Sequence, residues 1–93
     1  MDKMTEKEFE KFAEIFQALS NKTRLQIVSG VMKDECSVSV MIEKLKLPQS
    51  TISQHLRVLR NLKIIKGRKE GSKRCYKVID KRVRDIVEFI EQM

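Results

Sequence analysis

The densest chemistry in this sequence lies in nine consecutive residues. Gln49-Ser50-Thr51-Ile52-Ser53-Gln54-His55-Leu56-Arg57 carries three hydroxyls within four positions, two carboxamides, the one histidine of the chain and an arginine. On a helix, carboxamides and hydroxyls are the groups that hydrogen-bond base edges: Gln pairs bidentately with adenine, and Ser donates or accepts as needed. Arg57 adds a cation for phosphate. An ordinary surface helix is richer in Glu, Lys and Ala, because Ser and Thr are indifferent helix formers. Ser50 and Thr51 also suit a helix start, where their oxygens cap N–H groups. His55, beside Leu56, reads either as a packed side chain or as a phosphate or base contact.

A second cluster is purely cationic. Lys66, Arg68 and Lys69 precede Gly71-Ser72, and Lys73 and Arg74 follow it. Gly-Ser between two alternating basic runs is a hairpin signal. A hairpin tip this basic fits a minor groove or its flanking phosphates, or serves solubility alone. The wider charge pattern agrees. Lys44 to Lys77 holds eleven basic residues and one acid, Glu70, whereas both flanks are near neutral; the whole chain carries +7. A basic middle between neutral ends is the footprint of a polyanion-binding surface, and its plain alternative is a solvated lysine-rich face. Without a large aromatic face on the basic segment, a membrane partner is not expected.

Composition excludes other classes. At 93 residues and 41% hydrophobic, the chain builds one domain, 1–93, with a single modest core, and is too apolar for a disordered chain. No apolar run is long enough for a spanning helix. The opening Met1-Asp2-Lys3-Met4-Thr5-Glu6 has no apolar stretch, so no secretory signal is expected and the chain reads as cytoplasmic. One histidine, no Gly-rich phosphate loop and no nucleophile–base motif argue against an enzyme. Two cysteines, Cys36 and Cys75, are too few for a disulfide scaffold.

The elements that must carry these clusters follow from periodicity. Phe9, Phe12, Ile15, Phe16 and Leu19 mark an amphipathic first helix. Ser20-Asn21 caps a second, with Leu25, Ile27, Val28, Val31 and Met32 apolar and Asp34-Glu35 at its end. Cys36-Ser37-Val38-Ser39 is a strand fragment or a cap. Val40, Met41 and Leu45 give a short third helix. Pro48 suits the first turn of a fourth, which turns Ile52, Leu56, Leu59 and Leu62 inward and Gln49, Ser50, Ser53, Gln54, Arg57 and Arg60 outward. The hairpin follows, and Asp80 caps a last helix with Val83, Ile86, Val87 and Ile90 apolar. The order α-α-(β)-α-α-β-β-α, mainly α with a small hairpin, is a winged helix-turn-helix.

With these residues in place the chain resembles the ArsR/SmtB family of winged-helix repressors, from about Phe16 to about Ile90. The carriers are Phe16-Gln17-Ala18-Leu19-Ser20-Asn21-Lys22-Thr23-Arg24-Leu25-Gln26-Ile27, Gln49 through Leu59, and Tyr76-Lys77-Val78. The resemblance implies a homodimeric repressor of double-stranded DNA that an inducer, often a metal ion, releases from its operator. It places Gln49, Ser50, Ser53 and Gln54 at the base contacts. It makes the first and last helices the dimerisation elements, so that Phe9, Phe12, Phe16, Ile86 and Ile90 meet a partner; their alternative is monomer core.

The chain departs from the family's sensors. Where metal sensors carry third-helix cysteines it has Ser37 and Ser39, and its last helix has no histidine. Hydroxyls and scattered carboxylates do not make a tight transition-metal site, so no metal or cofactor is expected and the inducer stays unassigned. Ser29 stands where some thiol sensors carry a second-helix cysteine. The strand fragment of a winged helix pairs with the returning wing strand, which brings the Cys36 and Cys75 regions together. Cross-strand neighbours lie about 4.5–5.5 Å apart, within disulfide reach, whereas a slip of one residue turns one side chain away. Basic neighbours Lys73, Arg74 and Lys77 favour a Cys75 thiolate. The two cysteines are either a redox pair that restrains the wing or small apolar core residues. The function expected is sequence-specific DNA binding to an inverted repeat; the alternatives are a non-specific architectural DNA binder or a repressor answering to a ligand or partner invisible in the sequence.

Overall fold

A computed structural model describes residues 3–93 of the chain. Five helices and one hairpin follow in the order α1 (Glu6–Leu19), α2 (Lys22–Met32), α3 (Val38–Leu45), α4 (Gln49–Asn61), β1 (Ile65–Glu70), β2 (Lys73–Val78) and α5 (Lys81–Glu91). Side-chain caps set most helix starts. Thr5 and Glu8 form a reciprocal capping box on α1, and the backbone N–H of Thr5 holds the Glu8 carboxyl below the usual carboxylate range. Asn21 caps α2, Ser37 caps α3 and Asp80 caps α5 through the N–H groups of Arg82 and Val83.

Two expectations shift at the helix ends. Pro48 is not in the first turn of α4 but is its N-cap, with extended ψ of 152°. Helix α2 stops at Met32, short of Asp34-Glu35, because Asp34 takes a left-handed φ of 66°. Lys46 (φ 55°) closes α3 and Lys63 (φ 60°) follows α4 in the same conformation. All three are residues other than glycine in a region that usually selects Gly or Asn, so composition carried no signal for them.

The hairpin pairs Ile65 with Val78 through to Glu70 with Lys73, leaving Gly71-Ser72 as a two-residue turn. Only Gly71 has positive φ (61°), the pattern of a type II′ turn. The strand fragment expected before α3 reduces to one bridge, Ser37 to Cys75, made by Tyr76 N–H donating to the Cys36 carbonyl at 3.0 Å.

The core gathers Ile15, Ala18 and Leu19 of α1, Ile27, Val28 and Val31 of α2, and Met41 of α3. It is completed by Ile52, Leu56 and Leu59 of α4, by Ile64, Ile65, Tyr76 and Val78 at the hairpin, and by Val83 and Val87 of α5. Gly67 leaves room for its buried cross-strand partner Tyr76: an added Cβ would lie 2.8 Å from Cε1 and 3.3 Å from Cδ1 of that ring. Gly67→Ala is therefore expected to destabilise the fold by about 1–3 kcal/mol through overpacking. Urea unfolding checks this, and an unchanged midpoint with unchanged slope would show that the ring moves aside freely.

The α1 stripe divides. Ile15, Ala18 and Leu19 point inward, while Phe9 and Phe16 face solvent and Phe12 lies half-buried between them. Likewise on α5 Val83 and Val87 are buried, Ile86 is half-buried and Ile90 is exposed. The radius of gyration, 13.8 Å, exceeds the value of about 12 Å usual for a compact chain of this length.

Candidate nucleic-acid interface

Helices α3 and α4 are joined by Lys46-Leu47-Pro48, and α4 lies against α2, α3 and β1. Ile52, Leu56 and Leu59 anchor it at three- and four-residue steps and are buried to 2% exposure or less. That anchoring fixes what the other side presents. Gln49, Ser50, Ser53, Gln54, Arg57 and Arg60 are all exposed, whereas Thr51 and His55 are half-buried at the flanks. Thr51 and Ile52 donate to the Pro48 carbonyl, so the N–H groups of Gln49 and Ser50 at the tip of α4 are left to an outside acceptor. Desolvation, with the Arg24 guanidinium nearby, holds the His55 pKa below its ordinary value. The shift favours the uncharged imidazole, which has one donor and one acceptor nitrogen. Arg24 itself is held by donating to the Ala18 carbonyl at 3.1 Å.

Lys66, Arg68, Lys69, Lys73 and Arg74 are all exposed on the hairpin, but the strand alternation separates them. Ile65, Gly67, Tyr76 and Val78 face the core, which puts Lys69 and Arg74 on that same side further out. Lys66, Arg68, Lys73 and Lys77 occupy the other face. The five wing residues therefore do not form one patch. Arg68 is further engaged by Glu70, the one acid of the basic segment, with Nε donating to Oε1 at 2.8 Å.

Cys36 and Cys75 are joined in a disulfide, Cα to Cα 4.9 Å. It ties the segment before α3 to the returning wing strand. Ser37 is buried and caps α3, and its hydroxyl lies 3.3 Å from that of Ser39. Ser29 donates at 2.6 Å to Glu91 of α5, and Lys33 joins the same carboxylate at 3.1 Å. The Ser29 hydroxyl, followed by Lys33, lowers the Glu91 pKa. Among the described residues no three His, Cys, Asp or Glu side chains converge on a common point.

The apolar surface of α1 and α5 is larger than the five residues singled out in the sequence. Phe9, Phe16 and Ile90 are about half exposed, and Phe89, 70% exposed, was missed. Its signal was present: Phe89 follows Ile86 by three residues, on the stripe that the charged neighbours Asp85 and Glu88 obscure. Phe12 is steadied by the Arg82 guanidinium, 4.7 Å from the ring centre.

The family model described as bacterial regulatory protein, arsR family, matches residues 21–66, from the cap of α2 to the start of the wing. An HTH-type transcriptional regulator of Methanocaldococcus jannaschii is 40% identical over 91% of this chain and 97% of its own length. The chain belongs to the ArsR family. This ArsR-family protein is a winged-helix, DNA-binding transcriptional regulator and not an enzyme. Its fold overlays HlyU of Vibrio cholerae with a TM-score of 0.88 at 32% identity, covering 95% of this chain and 96% of that one. The transcriptional repressor PagR of Bacillus anthracis follows at 0.77 and 34%, covering 88% and 94%. HlyU is described as an activator and PagR as a repressor. Among the described residues of the ArsR-family chain no helix is long and apolar enough to cross a membrane.

Proposed function

We propose that two copies of this chain, one winged-helix domain each, join through α1 and α5 and repress transcription in the cytoplasm by occupying an inverted-repeat operator. The observation that carries this is the sorting of α4: three buried aliphatic anchors on one side, and Gln49, Ser50, Ser53 and Gln54 exposed on the other. Such a helix enters a major groove with its amides and hydroxyls on base edges and its arginines on phosphate. Arg57 takes that phosphate role on α4; Thr51 and His55 flank the groove. On the wing, Lys66, Arg68 and Lys73 serve one face, and Lys69 and Arg74 the other. The apolar face of Phe9, Phe12, Phe16, Ile86 and Ile90, extended by Phe89, meets the same face of the second copy, and two-fold symmetry then sets half-sites about one helical turn, ~34 Å, apart.

The test is selection of duplexes from a random pool, followed by binding of the winners at several salt concentrations. Neutralising four or five phosphates per protomer corresponds to a log–log salt slope of about −7 to −9. Gln49→Ala or Ser53→Ala should cost about 1–3 kcal/mol at particular base pairs and little elsewhere. Lys73→Ala should weaken every duplex alike and flatten the slope. A pool that yields no common sequence, or equal losses on selected and random DNA, would favour non-specific architectural binding instead.

A further inference from the structure

Between the wing, the end of α2 and α5 lies a groove of about 760 Å³, of whose lining the DNA-binding reading uses only Lys66 and Arg68. Val31, Met32 and Tyr76 supply its apolar floor, and Lys66, Arg68, Lys77 and Arg84 outnumber Asp34 and Glu88 around it. Of the two bridged cysteines, Cys75 lines this groove. Strand geometry sharpens the setting: Cys75 is cross-strand from Arg68, with Lys73 and Lys77 two residues away on the same face and Lys66 opposite Lys77. The disulfide is thus reached through a cationic, half-enclosed approach.

We propose that this groove admits a small anionic thiol that opens the Cys36–Cys75 disulfide by attack at Cys75. The incoming thiolate forms a bond to Cys75 Sγ and the Cys36–Cys75 bond breaks. Its electron pair leaves on Cys36 Sγ, which takes a proton from water. A second thiolate then attacks the reagent's sulfur in the mixed disulfide, releasing Cys75 as a thiolate that is likewise protonated. The protein disulfide gains two electrons and two protons, and two reagent thiolates become one reagent disulfide. Opening the disulfide leaves the wing strand held to the segment before α3 by the single Ser37–Cys75 β-bridge, whose hydrogen bond runs from Tyr76 N–H to the Cys36 carbonyl. The wing then loses preorganisation for DNA; this consequence, unlike the groove assignment, rests on the DNA-binding reading.

The experiment compares two thiols of opposite charge, 2-mercaptoethanesulfonate and cysteamine, on the oxidised full chain at 25 °C, with rates expressed per thiolate. The anionic reagent should react at least about fivefold faster at low ionic strength, with the gap closing at high salt and narrowing or reversing in Lys77→Glu. Equal rates, or a preference that salt and Lys77→Glu leave untouched, would overturn the assignment of the groove. Affinity for a selected duplex is then measured on oxidised and reduced protein, with circular dichroism confirming that both are folded. Reduced protein, and the Cys36→Ser/Cys75→Ser double variant, should bind about three- to tenfold more weakly. Equal affinity in both redox states overturns the regulatory consequence. A protein that binds no duplex in either state overturns the DNA-binding reading instead, and the rate comparison still decides the groove.

Discussion

Replacing Phe89 with glutamate is expected to convert the dimer proposed above to monomer at micromolar concentration and to remove most operator affinity. In the protomer Phe89 is 70% exposed and contributes nothing to the core, so the variant should fold normally. In a two-fold assembly the residue appears twice. Burying a phenylalanine contributes roughly 1.5–3 kcal/mol, so the two copies together account for about 3–6 kcal/mol, or two to four orders of magnitude in the dimer dissociation constant. A carboxylate in its place adds a desolvation cost with no partner. Phe16→Glu should act in the same direction from α1. Light scattering after size exclusion reads the mass directly. A Phe89→Glu protein that stays dimeric at the same concentration would move the interface away from α1 and α5.

The second large effect is on stability. The disulfide spans 39 residues, and closing a loop of that size restricts the unfolded chain by about 4 kcal/mol in the chain-entropy picture, with measured bridges typically giving about 2–4. For a domain of this size each kcal/mol corresponds to roughly 4–8 °C in melting temperature. Complete reduction should therefore lower the transition by roughly 10–30 °C. Calorimetry at one protein concentration, with and without reductant, checks this, and the double serine variant should melt with the reduced form whether or not reductant is present. A shift of only a degree or two would mean that the crosslinked segment is already restricted in the unfolded chain.

Much of this was legible in the sequence because the relevant signals were local. The aliphatic steps Ile52, Leu56 and Leu59 dictate which side of α4 is hidden, and Gly71-Ser72 between alternating strands dictates the turn. Asn21 and Asp80 announce helix starts through their side chains. What was illegible depended on tertiary context. Asp34, Lys46 and Lys63 reverse the chain in a left-handed conformation that their identities do not advertise. The α1 stripe reads as one apolar band, yet only tertiary packing decides that Ile15 is covered and Phe16 is not. The wing cations read as one cluster because charge carries no face; pairing register separates Arg68 from Lys69. Register also decides between a bonded cysteine pair and two unrelated small residues, and no residue near Cys36 fixes register by itself.

The crosslink between Cys36 and Cys75 has a topological consequence. It closes a covalent ring that contains α3, α4, β1 and the first half of β2, and with them the whole surface assigned to DNA. Helices α1 and α2 emerge from one side of the ring and α5 from the other, as two tails. A single backbone cut anywhere between residues 37 and 74 therefore leaves the oxidised molecule in one piece, whereas the same cut after reduction divides the reading head. Covalently, the part that reads DNA is a loop and the part assigned to subunit pairing is a pair of free ends.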